Sequence, residues 1–388
     1  MIGDFIIEAK DGNARSGILH TAHGPISTPA FMPVATQGSV KALDSTDIRF
    51  MGADIVLSNT YHLMLRPGID LIKELGGLHR FIDWEGPILT DSGGFQTFSL
   101  GKLTKVTDDG VQFRSHIDGS LRFLSPEIVL DYQSSLGVDI AMVLDQCSEY
   151  GLSQSKILEA MKRTHNWASK SREIHNKPGQ LIFGIVQGGW DLELRKESAA
   201  FLTSLEFDGY AIGGMSVGEP KSVMYETVAL MGQELPYLKP RYLMGVGSPE
   251  DLVESVYMGV DLFDCVLPTR VARNGALMTS RGRINILNRE YSKSTGPIEE
   301  TCDCYTCSRF SVAYLHHLFK AKELSAYRLA SIHNLRFILR LMEDLRLAIK
   351  HSRLDSYRDE FIRNYHPTDE SIRMLQKEKW MKRKQESR

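Results

Sequence analysis

Two aspartates end short apolar runs in this chain, Asp91 in PILTDSGGFQ and Asp264 in DLFDCVLPTR. Carboxylates paired in one pocket can divide acid–base labour, one as nucleophile and the other as general acid or base. Glycosidic bond cleavage uses that arrangement. On spacing alone an ordinary reading has equal weight: Asp91 as a cap before a turn, Asp264 in a salt bridge. Asp145, Gln187 and Gly214 also stand where apolar runs stop. A guanine-like base offers a ring N–H beside an exocyclic amine, and one carboxylate accepts both. Its carbonyl oxygen asks for donors, such as the Gln187 amide and the Gly214 N–H. Phe95 could stack on the ring with Met244 opposite; taken singly, Phe95 reads as core and Gln187 as a satisfied strand end.

Three of the five cysteines, Cys302, Cys304 and Cys307, lie in CDCYTC. Three thiolates this close can turn toward one point, and a histidine completes the tetrahedron of a structural zinc site, with no position left for substrate. His316, His317 and His333 are the candidates. Upstream, PTRVARNGALMTSRGRINILNR holds five arginines and no acid. Such a run suits phosphate contacts that position RNA without reading its sequence. GVGSPED, residues 245–251, adds backbone N–H groups at a helix start, another anion site. A solvated loop and an ordinary capped helix are the bland counterparts.

The elements that must hold these residues repeat one pattern. ADIVLSN, PILTDSGG, DIAMVLDQC, LIFGIVQGG, GYAIGG, RYLMGVG and DLFDCV are apolar runs that stop abruptly, most of them followed by a helical stretch such as 153–174 or 249–258. Strands of this kind are buried on both faces, as in a parallel sheet. Seven or eight such units fit a doubly wound sheet or a (β/α)8 barrel, and the dinucleotide fingerprint of the former is absent. Asn59, Asp91, Asp145, Gln187, Gly213, Gly214, Gly245 and Asp264 all fall at C-terminal strand ends, which converge on one mouth in a barrel. The expected fold is therefore α/β: a TIM barrel with an N-terminal β-hairpin lid, over residues 6–43, and a C-terminal zinc-binding helical subdomain. The expected boundaries are 1–295 for the barrel, 296–365 for the subdomain with helices from 312 to about 350, and 366–388 for a basic, flexible tail.

At 388 residues, 42% hydrophobic and 24% charged, the composition is that of a globular protein. No apolar run approaches the ~20 residues that span a bilayer, and Asp4 and Glu8 around Phe5-Ile6-Ile7 do not make a signal peptide. A cytoplasmic location without membrane contact is expected. The net charge of −2 hides an asymmetry: residues 265–388 carry 24 Lys and Arg against 14 Asp and Glu, and the first 264 carry 22 against 34. A polyanion at one end is one reading, a solvated basic surface the other.

Taken in order, DSGGFQ, FGIVQGG, GGMSVGE, RYLMGVGSPEDL, FDCVLPTRVARNG and CDCYTC followed by IHNLR resemble the bacterial tRNA-guanine transglycosylases, the queuine tRNA-ribosyltransferases. NTYHLMLRPG and FMPVATQGSVKAL match as well, so the likeness runs from about Phe5 to Phe361. The resemblance implies exchange of the wobble guanine of GUN-anticodon tRNAs for a 7-deazaguanine, in queuosine biosynthesis. Asp264 would be the nucleophile, forming a covalent ribosyl intermediate, and Asp91 the general acid/base. Ser92, Gly93, Gly94, Phe95, Asp145, Gln187, Gly213, Gly214, Met215 and Met244 would hold the base. Gly245, Val246, Gly247, Ser248, Pro249, Glu250 and Asp251 would meet the tRNA anticodon loop, with Thr269, Arg270, Val271, Ala272 and Arg273. Cys302, Cys304, Cys307 and His333 would hold one structural Zn2+, and the chain would form a homodimer.

Two departures bear on the base. The family commonly has glutamate where this chain has Gln146, and leucine where it has Met215. Members that take the bulkier queuine tend to have glycine in the slot of Val217, so valine favours 7-aminomethyl-7-deazaguanine. The rivals are a non-catalytic, zinc-stabilised tRNA-binding protein and a carbohydrate hydrolase using the same acids. The first has no need of Asp91, Asp145 and Asp264 together, and the second does not explain the arginine run.

Overall fold

The computed structural model describes residues 1–99 and 104–367; the expected flexible tail lies outside them from position 368. Parallel strands Val56–Asn59, Ile88–Asp91, Ile140–Met142, Leu181–Val186, Gly209–Ile212, Arg241–Leu243 and Leu262–Asp264 are the seven apolar runs of the sequence. The sheet order ends in two short pieces, Ala30–Met32 and Val34–Ala35. Pro33, which has no N–H to give the ladder, separates them. The first piece pairs with Leu262–Asp264 and the second with Val56–Asn59, so the two are one broken strand that closes an eight-strand barrel. Leu57 N–H donating to Pro33 O (3.0 Å) carries the ladder across the break. All six residues of Leu181–Val186 are buried, which is why these strands read as continuous apolar runs.

Helices Pro126–Leu136, Gln154–Ile174, Leu192–Ser204, Lys221–Glu234 and Pro249–Tyr257 follow their strands. Their starts are written locally: Ser125 accepts from Ile128 N–H, and Asp191 from Glu193 and Leu194 N–H. After the last strand the chain makes a long detour through the cysteine cluster. It then returns as Leu324–Lys350, which packs on Ala30–Met32 and Pro249–Tyr257 in the helix layer.

The hairpin region is shorter than expected. Phe5–Asp11, Ala14–Thr21 and Gly24–Thr28 form an antiparallel sheet, and the chain then enters the barrel. This sheet covers the end opposite the mouth: His23 N–H donates to Asp139, just before Ile140, and Arg15 pairs with Asp261, just before Leu262. A second antiparallel sheet, Thr104–Thr107, Gly110–Arg114 and Leu121–Leu124, is inserted after the third barrel strand. Among the described residues no helix is long and apolar enough to cross a membrane.

Arg15 and Asp261 are both fully buried. The guanidinium spans both carboxylate oxygens and also donates to the Tyr237 and Lys239 carbonyls, while Arg241 N–H donates to Asp261 Oδ2 at 2.8 Å. Burial raises the Asp261 carboxyl and Arg15 opposes that. Arg15→Met should therefore cost about 3–5 kcal/mol in denaturant unfolding, the range for a buried pair broken from one side. Adding Asp261→Asn should recover part of the loss.

Candidate active site

The barrel mouth gathers the acids that the strand ends suggested. Asp264 Oδ1 accepts from the Tyr242 hydroxyl at 2.6 Å and from Gly245 N–H at 2.8 Å. Asp264 Oδ2 has no hydrogen bond among the described residues, which leaves one oxygen fixed and the other available. Asp91 accepts from Asn59 Nδ2, Gln96 Nε2 (3.3 Å) and Thr60 N–H (3.2 Å). Its carboxyl is pushed up to about 7, by burial first and by the Asp264 charge second, against hydrogen bonds from Thr60, Gln96 and the Gly93 backbone. Burial also raises Asp264, opposed by Tyr242 and Gly245. The result is one anchored acid and one poised to carry a proton near neutrality.

Beside this pair, Asp145 is buried and accepts from Gln187 Nε2 at 2.7 Å. Burial pushes it up to about 6. One Gln187 amide proton is thus already engaged, while Gln187 Oε1 is buried without a partner. Glycine is required on both sides. A Cβ on Gly94 would lie 2.7 Å from Asp145 O, and one on Gly214 would lie 2.6 Å from Gln187 Oε1. Gly93 turns the chain at φ +81 against Tyr61, and Ser92 is buried beneath the turn. Phe95 is 51% exposed and does not join the core. Met215 is buried and Met244 half-buried.

Glu219, which no sequence pattern singled out, accepts from Ser216, Val217 and Gly218 N–H and so closes the loop after Gly214. Tyr242 was also missed, because it lies inside an apolar run rather than at its end. Gln146 points its amide oxygen at Arg163 (2.6 Å), whose guanidinium also pairs with Asp108 and Glu159. Its neutral side chain therefore serves the flanking helix.

The two segments that the sequence reading gives to RNA are more buried than a bare anion site. In 245–251 only Gly245 is exposed, Glu250 is partly so, and Val246, Gly247, Ser248, Pro249 and Asp251 are buried. The helix start carries its own compensation: Lys221 pairs with Glu250 and Asp251, and Tyr225 donates to Asp251 at 2.7 Å. In the second segment Thr269 and Ala272 are buried, Val271 and Arg273 are partly exposed and Arg270 is exposed.

The cysteine cluster selects one of three histidines. Cys302, Cys304 and Cys307 Sγ lie 3.7, 3.7 and 3.3 Å from His333 Nδ1. His333 Nε2 meets Met278 O at 2.7 Å, which fixes the ring with Nδ1 toward the sulfurs. His316 instead contacts Ile286 O, and His317 is exposed. Three thiols and an oriented imidazole fit a tetrahedral zinc ion. His23, His79 and Asp139 also approach one another. There the imidazoles stack 3.7 Å apart at 21°. Nearly parallel ring planes do not meet at one ion, so this group is a hydrogen-bonded clamp.

Fold and site together define a (β/α)8-barrel enzyme with a coupled acid pair and a third acid over a glycine-lined pocket. Sequence comparison narrows the class. The Queuine tRNA-ribosyltransferase family pattern matches residues 10–367, and the chain belongs to that family. Queuine tRNA-ribosyltransferases of Dehalococcoides mccartyi and Pelotomaculum thermopropionicum are each 53% identical, over 95% and 94% of this chain and 94% and 99% of theirs. That of Dictyoglomus turgidum is 51% identical over 98% of this chain and 99% of its own.

Purified protein should carry one zinc per chain by elemental analysis, lost in His333→Ala and kept in His316→Ala and His23→Ala. Carbon-13 NMR should find Asp91 titrating near 7. In Asp264→Asn, where the neighbouring charge is gone, Asp91 should titrate lower.

Proposed function

We propose that the chain exchanges the wobble guanine of GUN-anticodon tRNAs for 7-aminomethyl-7-deazaguanine by two displacements at one anomeric carbon. The observation that carries this reading is the coupled pair: Asp264 with one oxygen anchored and the other free, and Asp91 raised to about 7 beside it. Asp264 Oδ2 attacks C1′ of the flipped-out nucleotide as the bond to guanine breaks, and the Asp91 proton goes to the departing base. The ribosyl ester on Asp264 then meets the incoming base, which gives its ring proton back to Asp91 and attacks C1′ as the ester bond breaks. Two inversions give net retention.

Asp145 accepts from the base's ring N–H and amine, and Gly214 N–H and the second Gln187 amide proton serve its carbonyl. Phe95, exposed at the mouth, supplies a stacking face. Val217, held by its own N–H on Glu219, narrows the slot and favours the aminomethyl precursor over queuine. The arginines after Asp264 contact anticodon phosphates. One zinc ion, held by Cys302, Cys304, Cys307 and His333, has a structural role in the helical subdomain, residues 296–365. The enzyme works in the cytoplasm as a homodimer.

Labelled guanine should enter unmodified tRNA with the wild type, and Asp264→Ala should lower the rate by at least about 10³-fold. A ribosyl adduct should survive on a denaturing gel of wild type with tRNA and be absent from Asp264→Ala. Release of guanine needs Asp91 protonated, so its single-turnover rate should fall about tenfold per pH unit above about 7. Base binding should weaken below about 6 as Asp145 takes up its proton. Label entry with Asp264→Ala at the wild-type rate would remove the nucleophile assignment.

A further inference from the structure

Arg15 and Arg195 are both fully buried, and they are served differently. Arg15 lies on the Asp261 carboxylate at the closed end of the barrel. Arg195 lies under the mouth, near the start of Leu192–Ser204, and no carboxylate pairs with it among the described residues. Its Nε donates to Gly189 O and its Nη1 to Val186 O, both at 2.9 Å, so the guanidinium spans the turn that carries Gln187. Its Nη2 is buried without a partner, as is Gln187 Oε1. Both orphaned atoms face one spot: a Cβ on Gly214 would lie 2.6 Å from Gln187 Oε1 and 3.4 Å from Arg195 Nη2. Burial lowers the guanidinium to about 10, so it is still a cation at neutral pH. The Cys147 thiol, raised to about 12 by burial first and by Asp145 second, stays neutral near it.

A buried cation without a carboxylate is costly, and an unmet N–H adds to the cost. An amide has two ends of similar shape, one a donor and the other an acceptor, whereas a guanidinium only donates. With Arg195 behind it, the Gln187 oxygen is drawn back and the NH2 is left facing Asp145 and the pocket. A hydrogen bond from the cation to Oε1 also polarises the amide and strengthens the bonds that its N–H groups make on the other side. The charge reaches the pocket through a neutral amide, so Asp145 is not pinned as an anion.

We propose that Arg195 is a positioning residue for base selection: it closes on Gln187 Oε1 when a base seats, directly or through one water, and fixes the amide as a donor to the base's carbonyl oxygen. This rests on the base-exchange reading for the identity of the ligand. A purine with an exocyclic amine at that position meets a second donor and is refused.

The test compares guanine with 6-thioguanine, which keeps the ring N–H and the amine and puts a weakly accepting sulfur in place of the carbonyl oxygen. Dissociation constants for both bases are measured by equilibrium dialysis against the full chain, Arg195→Lys and Arg195→Met, and guanine exchange into tRNA is followed alongside. Arg195→Met should weaken guanine at least about tenfold, the scale of a hydrogen bond to a charged group, and 6-thioguanine less than about threefold. Arg195→Lys, which keeps a charge and loses the fork, should fall between the wild type and Arg195→Met. In Gln187→Leu, adding Arg195→Met should no longer change the ratio between the two bases. Equal losses for both bases, or none, overturn the inference, since a merely structural arginine would weaken the pocket without regard to the carbonyl. If Arg195→Met does not fold, Arg195→Lys carries the same comparison. A wild type that binds guanine but exchanges none into tRNA overturns the base-exchange reading instead, and leaves the ratio intact as a measure of Arg195.

Discussion

Two carboxylates at the mouth of one barrel cannot both be charged cheaply, and the site is arranged around that constraint. Desolvation raises Asp91 and Asp264 alike. The asymmetry comes from their partners. Tyr242 and Gly245 put two short hydrogen bonds on a single Asp264 oxygen and favour its charged form. Asp91 then stands in the field of that charge as well as partly withdrawn from water, and its affinity for a proton rises to neutrality. A purine cannot leave or enter easily as an anion, so a proton held near pH 7 beside a fixed carboxylate is what base exchange at a ribose asks for.

The two ends of the barrel treat acids differently, and the contrast explains the mouth. At the closed end Asp261 lies on the Arg15 guanidinium, and Asp139 on two imidazoles and two backbone amides. Histidine and backbone partners hold Asp139 below its ordinary value despite burial. Burial raises Asp261 against the pull of Arg15, and both acids tie the N-terminal sheet to the strand starts. At the mouth the hydrogen-bonding side chains on Asp91, Asp145 and Asp264 are neutral: Asn59, Gln96, Gln187 and Tyr242. A cation there would pin the carboxylates as anions, whereas neutral donors orient them and leave their protons exchangeable.

The strand ends were legible because burial on both faces writes a strand as an unbroken apolar run, and the polar residue that stops it is the one reaching the mouth. Asp91, Asp145, Gln187 and Asp264 were found that way. Tyr242 was not, since an inward aromatic within a strand looks like core, and its function lies in one hydroxyl. The first barrel strand was hidden because Pro33 cuts it into pieces of three and two residues, too short to show a period, so it was absorbed into the hairpins. The antiparallel insertion at 104–124 escaped for a related reason: its inner face, half-buried Val106 with buried Val111, Phe113 and Leu124, is spread over three short strands. At 245–251 the helix start is legible in the sequence, whereas the pairing of its two acids with Lys221, distant in sequence, emerges only in the fold.

The same logic bears on the cysteine cluster. The detour from Leu267 to Glu323 has a small apolar core of its own, built on Leu277, Ile286, Leu315 and Leu318. What fixes it to the barrel is His333, on the long helix, facing the three cysteines through one nitrogen and the Met278 carbonyl through the other. Asn334, the next residue, reaches Pro268 O, Ala276 O and Met278 N–H. One turn of helix thus sets the cysteines, the hairpin and the start of the arginine run relative to Asp264, four residues before Pro268. Side chains that act together on one substrate must keep register to well within an ångström. The cysteine–histidine cluster next to a buried amide network supplies that register where so small a core would not.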